Sequence, residues 1–359
     1  MKVTLKFIAL LFCFCLMLSG CSLWMDGEYS SVTPNHPRGA DFYDDFLSLG
    51  SYQQVCDALA KMVEDGAPES VFFIDGLSND KVDNYMDMAI DYILQMNPIG
   101  AYTVKEITYD IGTNMGKQAI AVNISYNHNR TEILKIKKAK DMDDVQSQIS
   151  VSLESCASRL VVMVDNYYPR DLVQFIEDYV SQNPQICMEM PQVSVSIFPE
   201  LGQQRVIEIG FTYQNSRETL RSMQQSVSDI FMSAHFYINP GADNREKYSQ
   251  LYSFLMERYD YTIETSITPA YSLLRHGVGD SKAFATMYAA ICRQAEIDCQ
   301  VVSGTKAGVA WHWNVLKDGG IYYHLDLLEC NALGAFSVKT EEEMVGYVWD
   351  YSAFGEQEE

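Results

Sequence analysis

The sequence predicts an α+β fold, in which a small βαββα unit occurs twice and a separate α+β domain follows. Three observations predict this. Two apolar β-type runs, "VFFIDG" at 71–76 and "LVVMVD" at 160–165, are each followed by a helical pattern. Each copy then carries a segment of apolar–polar alternation, Ile120, Val122, Ile124 and Tyr126 in one and Ile207, Ile209, Phe211 and Tyr213 in the other. The copies close on "YNHNRTEIL" and "YQNSRETLR", and one offset of 87 residues carries Tyr126 onto Tyr213 and Arg130 onto Arg217.

The chain has 359 residues, of which 47% are hydrophobic and 21% charged, enough for several packed units. It opens on a basic start, "MKVTLK", and a twelve-residue apolar stretch, "FIALLFCFCLML", too short to span a bilayer and flanked like a secretory signal. Leu18-Ser19-Gly20-Cys21 resembles the bacterial lipobox. That resemblance implies cleavage after residue 20, lipid on Cys21, export, and anchorage at the outer face of a bacterial membrane. Residues 21–50, rich in Ser, Pro, Gly and Asp, are expected to be a tether. A first unit with a leading helix near Tyr52–Val63 is placed at 51–155 and its repeat at 156–240. In the second copy Leu172, Phe175, Ile176, Tyr179 and Val180 share one helical face, with Pro169 near the first turn.

The formal charge of −22, spread along the chain, repels nucleic acid and argues against it as a partner. Beyond Cys21, Cys56, Cys156, Cys187, Cys292, Cys299 and Cys330 form no CxxC pair, so neither a zinc site nor a disulfide framework is signalled. No Gly-rich phosphate loop or metal-spaced His cluster is present either, so no metal or cofactor is expected. His128 is expected as a solvated turn residue.

From 241 to 359 the character changes. Tyr248, Leu251, Tyr252, Leu255 and Tyr259 form one helical face, and Phe284, Ala285, Tyr288 and Cys292 another, after "GDS" at 279–281. "CQVVSG" reads as a strand, and "AWHWNVLKDGG" and "IYYHLDLLE" as two more, joined by the turn signal Lys317-Asp318-Gly319-Gly320. "EEEMVGYVWDYSAF" is expected to return as a helix that packs Tyr347, Trp349 and Tyr351 nearby.

This order, with "WN" and "YHLD" in sequence, resembles the transglutaminase-like (papain-superfamily) domain of bacterial surface proteins. The resemblance implies a cysteine at a helix start, a histidine on a strand and an aspartate on the next, for acyl transfer or amide hydrolysis through a thioester. Carried over by position, the cysteine falls on Ser281, the histidine on Trp311 and the acid on Asp326. Two of three reactive groups are replaced. His312 and His324 are the possible substitute bases, and strand alternation turns His312 away from the face of Trp311 and Trp313. Ser281 or Asp280 otherwise serves as a helix cap. Trp313, Asn314, Tyr322 and Tyr288 are expected to line or flank the cleft together with Trp311. The expectation is thus a pseudoenzyme that binds or scaffolds at the cell envelope, with peptide or glycan as the ligand. A divergent acyl-transfer or amide-hydrolysing enzyme using Ser281 with a relocated histidine is the alternative.

Overall fold

Two four-stranded sheets of one design occupy residues 48–212. The computed structural model describes residues 48–262 and 269–350. Cys21, the expected signal, most of the tether and Tyr351 lie outside them. The first sheet uses β1 (Ser48–Leu49), α1 (Tyr52–Asp65), β2 (Glu69–Ile74), α2 (Asn79–Gln95), α3 (Pro98–Thr103), β3 (Val104–Asn114) and β4 (Lys117–Tyr126), closed by the short helix α4 (Arg130–Leu134). Its strand order is β1-β2-β4-β3. The second uses β5 (Lys137–Asp141), α5 (Met142–Glu154), β6 (Arg159–Asn166), α6 (Leu172–Gln182), β7 (Gln192–Phe198) and β8 (Arg205–Thr212), in the order β5-β6-β8-β7. In each, the first pair is parallel and the others antiparallel.

The repeating unit is therefore βαβαββ: the leading helix expected near Tyr52–Val63 is α1, whereas the leading strand of both copies and the leading helix of the second, α5, lie outside the sequence pattern. Residues 137–154, expected in the first unit, belong to the second sheet, because β5 pairs with β6. The reason is local: β1 has two residues, and β5, "KKAKD", holds a single apolar side chain, Ala139. Neither shows the alternation by which a half-buried strand is recognised.

Matching bonds hold the two copies. Arg130 Nε donates to the Asp65 carbonyl at 2.9 Å, and Arg217 Nε to the Ser155 carbonyl at 3.0 Å, so each arginine caps the end of the unit's first helix. Those helices end in the left-handed region, at Gly66 (φ 59°) in one copy and at Cys156 (φ 50°) in the other. Apolar faces match the expectation: Ile120, Val122 and Ile124 are buried in β4, and Ile207, Ile209 and Phe211 in β8. α6 is capped by Asp171, so Pro169 precedes the helix rather than opening it. His128 stacks on Tyr102 with ring centroids 4.5 Å apart and is not a purely solvated residue.

The helix α7 (Arg217–Tyr237) closes the second unit as α4 closes the first, but it is 21 residues long. Its Leu220, Val227, Phe231 and Ala234 share one core with α8 (Asn244–Met256), α9 (Pro269–His276) and α10 (Ser281–Gln294). Two short strands, β9 (Asp260–Tyr261) and β10 (Val278–Gly279), pair in parallel beside α10. The third sheet is antiparallel, in the order β13-β12-β11-β14, from β11 (Cys299–Lys306), β12 (Val309–Asp318), β13 (Ile321–Leu325) and β14 (Tyr347–Trp349), with α11 (Leu327–Leu333) after β13. Gly319 and Gly320 take positive φ (59° and 86°) in the tight β12–β13 turn, as the glycine pair requires.

The helix expected near the C-terminus is absent there: 341–343 is a 3₁₀ turn and 347–349 is β14. Gly346, at φ 85°, breaks any helix, and beyond it burial alternates, with Tyr347 and Trp349 inward and Val348 64% exposed. Tyr347 and Trp349 do pack on Trp313, with ring centroids 5.2 and 5.6 Å away. Cys56, Cys156, Cys187, Cys292, Cys299 and Cys330 are all buried free thiols.

Candidate functional site

Asp280 starts the site. Its side chain accepts from the Ala283 N–H at 2.8 Å and caps α10, so the cap is Asp280 and not Ser281. Ser281 is the first helical residue, 7% exposed. Its Oγ accepts from the backbone N–H of His312 at 3.2 Å. The topology explains that bond. β13 pairs with β12 only from Asn314, opposite Leu325, so the edge of β12 at Trp311 and His312 has no strand beside it. Ser281 satisfies an N–H that a sheet would otherwise satisfy.

Strand alternation then sorts the side chains. Trp311, Trp313 and Val315 pack with Val302, Tyr347 and Trp349 on one face of the sheet. Asn314 turns to the other, where its Nδ2 donates to the Ala285 carbonyl of α10 at 2.9 Å. His312 shares that second face.

Trp311 stands where the resemblance places histidine, and it makes a histidine-like bond. Its Nε1–H donates to Asp326 Oδ2 at 2.9 Å. Asp326 is 5% exposed. The same Oδ2 accepts from Lys306 Nζ at 2.8 Å and from the Tyr347 hydroxyl at 2.7 Å. Its Oδ1 caps α11 by accepting from the N–H groups of Leu328 and Glu329, both at 3.1 Å. Glu329 joins this network through Lys339 (2.6 Å), Lys306 (3.3 Å) and Tyr347. Burial opposes the Glu329 charge, yet the bonds from Lys339, Tyr347 and Lys306 win and hold its carboxyl at about 2. Lys306 Nζ also lies 5.4 Å from the centre of the Trp311 ring, and the Tyr261 ring packs against Trp311 at 6.0 Å.

Trp311 offers Ser281 no base. An indole N–H only donates, because its nitrogen lone pair belongs to the ring. The two substitute bases fare no better. The His312 backbone, not its ring, meets Ser281, and burial together with the charge of Lys282 holds its imidazole below the ordinary value. His324 is buried on the Trp face, where Nδ1 accepts from Trp313 Nε1 at 3.0 Å, and burial lowers its pKa to about 4. Among the described residues, no imidazole nitrogen hydrogen-bonds to Ser281 Oγ. Nor does a thiol substitute: burial pushes Cys292, on α10 itself, well above its usual value.

Three of the expected cleft-lining residues are core instead. Trp313, Asn314 and Tyr288 are each 0% exposed, and the Tyr288 hydroxyl is spent on the Tyr248 carbonyl at 2.7 Å. Tyr322 is half-buried under Lys317, whose Nζ lies 5.3 Å from its ring centre. Lys306, Glu329 and Tyr261 were not singled out on sequence, and Tyr347 was expected to pack nearby but not to bond to Asp326. Alternation puts Lys306 and Trp311 on one face once β11 and β12 are paired, but the link to Asp326 needs the sheet order. The bond from Tyr347 was missed because the segment was expected as a helix rather than as β14. Among the described residues, no group of three His, Cys, Asp or Glu is placed to hold a metal ion, and no helix is long and apolar enough to cross a membrane.

Residues 234–327 match the family model of the transglutaminase-like superfamily, so this region carries a transglutaminase-like fold within a mixed α+β chain. Among solved structures, the chain is similar to a TGase, at 10% identity over 54% of this chain and 58% of that one, with a TM-score of 0.27. It is also similar to a putative cysteine protease from Cytophaga hutchinsonii, at 11% identity over 44% of this chain and 70% of that one, with a TM-score of 0.25. The chain thus spans well under two thirds of the TGase's length. No curated protein matches it.

Proposed function

We propose that this chain is a lipid-anchored protein of the bacterial cell envelope whose transglutaminase-like domain binds rather than catalyses. One observation carries the reading: the base position is filled by Trp311, and its indole N–H occupies the Asp326 oxygen that would orient a histidine. Ser281 Oγ is meanwhile bound to a backbone N–H. A hydroxyl without a base is a poor nucleophile, and a helix dipole does not replace one.

What the site retains is an aromatic surface. Trp311 is half-buried and Tyr261 is 45% exposed, side by side, with Lys306 behind them. Flat rings give contact area at little entropic cost, which suits a peptide or glycan strand of the envelope. The anchor on Cys21 would hold this surface close to such strands.

The test is retention of the protein on isolated cell-wall peptide and on glycan. Saturable retention that weakens by about tenfold or more in Trp311→Ala is expected, in line with loss of a buried aromatic contact. Retention that is absent, or indifferent to Trp311, contradicts the binding role.

A further inference from the structure

Lys306 and Asp326 form an ion pair of an unusual kind for this chain. Lys306 Nζ lies 2.8 Å from Asp326 Oδ2, and the Asp326 side chain is 3% exposed. In every other ion pair among the described residues, both side chains are at least 26% exposed. A surface pair stays solvated. A carboxylate shut away from water is costly as a charge, and an amine bonded to it offers a proton that makes both groups neutral.

The pair is also held in one geometry. Lys306 ends β11 and Asp326 follows β13, while Trp311 belongs to β12, the strand between them. The rings of Trp311 and Tyr347 flank the amine, their centres 5.4 and 5.0 Å from Nζ. Both carboxyl oxygens of Asp326 are anchored. Oδ1 accepts from the N–H groups of Leu328 and Glu329, both at 3.1 Å, and Oδ2 from Trp311 at 2.9 Å and Tyr347 at 2.7 Å. A second carboxylate faces the same amine, since Glu329 Oε2 lies 3.3 Å from Lys306 Nζ. The Tyr347 hydroxyl bridges that same Oε2 and Asp326 Oδ2. A phenol has one proton and cannot donate to two carboxylates at once, so this hydroxyl is placed to pass a proton from one to the other.

We propose that Lys306 and Asp326 are a self-modification site, at which the amine condenses with the carboxyl group to give an intramolecular isopeptide bond. The Nζ–Cγ bond forms and the Cγ–Oδ2 bond breaks. Of the three ammonium protons, one stays on the amide nitrogen and two leave with Oδ2 as water. One of these crosses the 2.8 Å contact directly, and the other passes through Glu329 Oε2 and the Tyr347 hydroxyl. Charge balances and no co-reactant is needed. Fixed contact between amine and carboxyl group replaces a slow encounter in water, and the two N–H groups at Oδ1 stabilise the charge that develops there. The Lys306 side chain is 30% exposed, so the water formed has a way out. The product ties the end of β11 to the end of β13, over the stretch of β12 that β13 does not cover. Ser281 takes no part, and the bond forms whether or not the Trp311 surface holds a ligand.

The experiment is mass spectrometry of the full chain, denatured, reduced, alkylated and digested with trypsin, which cuts after unmodified lysine and arginine. The expected product leaves Lys306 uncut and joins the peptide 294–317 to the peptide 318–339, lighter than their sum by one water molecule. Fragmentation should place the link at Lys306 and Asp326. Lys306→Arg, which keeps the charge but not the amine, should show no joined peptide. Glu329→Gln should slow formation of the link at least about tenfold, read as the joined fraction against time after a pulse of synthesis, with folding checked by near-UV circular dichroism. Complete cleavage at Lys306 in the wild-type chain, with 318–339 recovered alone at its full sequence mass, overturns the proposal and leaves an ion pair only. An undiminished rate in Glu329→Gln overturns the proton path.

Discussion

At the scale of single residues, the proposed reading of the domain turns on Trp311. Asp326 is buried and accepts from the Trp311 indole N–H, a group that only donates and cannot take a proton. On the proposed reading, a cysteine at 281 and a histidine at 311 should together create reactivity. In Ser281→Cys/Trp311→His the imidazole can reach Asp326, and iodoacetamide should alkylate the new thiol at least about tenfold faster than in Ser281→Cys alone, because only the paired thiol is ionised near neutrality. Equal rates would show that the triad geometry is no longer present. His324 gives a second prediction at this scale. Its folded-state pKa, about 4, lies below the ordinary 6.5, so the unfolded chain binds the extra proton first as pH falls. Stability contributed by the neutral ring is complete above 6.5 and is lost as pH drops from there towards 4. The loss is on the order of 3 kcal/mol and levels off below that range. Urea unfolding across pH 7 to 4 should show this slope, and His324→Gln should flatten it.

At the scale of elements, the third sheet depends on a glycine that lets β14 and a tryptophan approach together. A Cβ on Gly304 would run into the Val348 carbonyl of β14 and the Trp313 ring. Gly304→Ala is expected to cost about 2 kcal/mol as an overpacking change and to loosen the Tyr347–Trp313–Trp349 cluster. Near-UV circular dichroism and urea unfolding would register both effects. The elements also show what can be read from sequence and what cannot. The long, periodic ones, α1, α6, α8, α10 and the strands around Ile120, Ile207 and Trp313, announce themselves because one face is apolar at the correct period. β1 and β5 do not, since each is short or polar and exists through its parallel neighbour. Motif order singled out Ser281, Trp311 and Asp326, and the structure joins Trp311 to Asp326 by a hydrogen bond, but the Lys306–Glu329–Tyr347 network around Asp326 was not legible. It joins β11, α11 and β14, and only the tertiary arrangement brings those together.

At the scale of the whole molecule, α7 ties the repeats to the C-terminal domain. A domain starting at 241, as composition suggests, would lose Leu220, Val227, Phe231 and Ala234 from the core that holds α8 and α10. A fragment of 241–359 is therefore expected to show no cooperative thermal transition, whereas the chain carrying α7 unfolds with one; removing a single buried Phe such as Phe231 already costs about 3–5 kcal/mol. A cooperative melt of the fragment would show that α7 is dispensable. The proposed anchor is tested separately: Cys21→Ala should move the protein from the membrane fraction to the soluble one and abolish its labelling by fatty-acid precursors. The central claim is that a transglutaminase-like fold persists here without its chemistry. The most direct measurement is labelling of the wild-type chain with a fluorophosphonate probe, read at Ser281 by mass spectrometry with Ser281→Ala as the control. The account predicts no labelling of Ser281 above that control. Stoichiometric labelling of Ser281 that disappears in Ser281→Ala would contradict it and make this an active serine acyl-transfer enzyme.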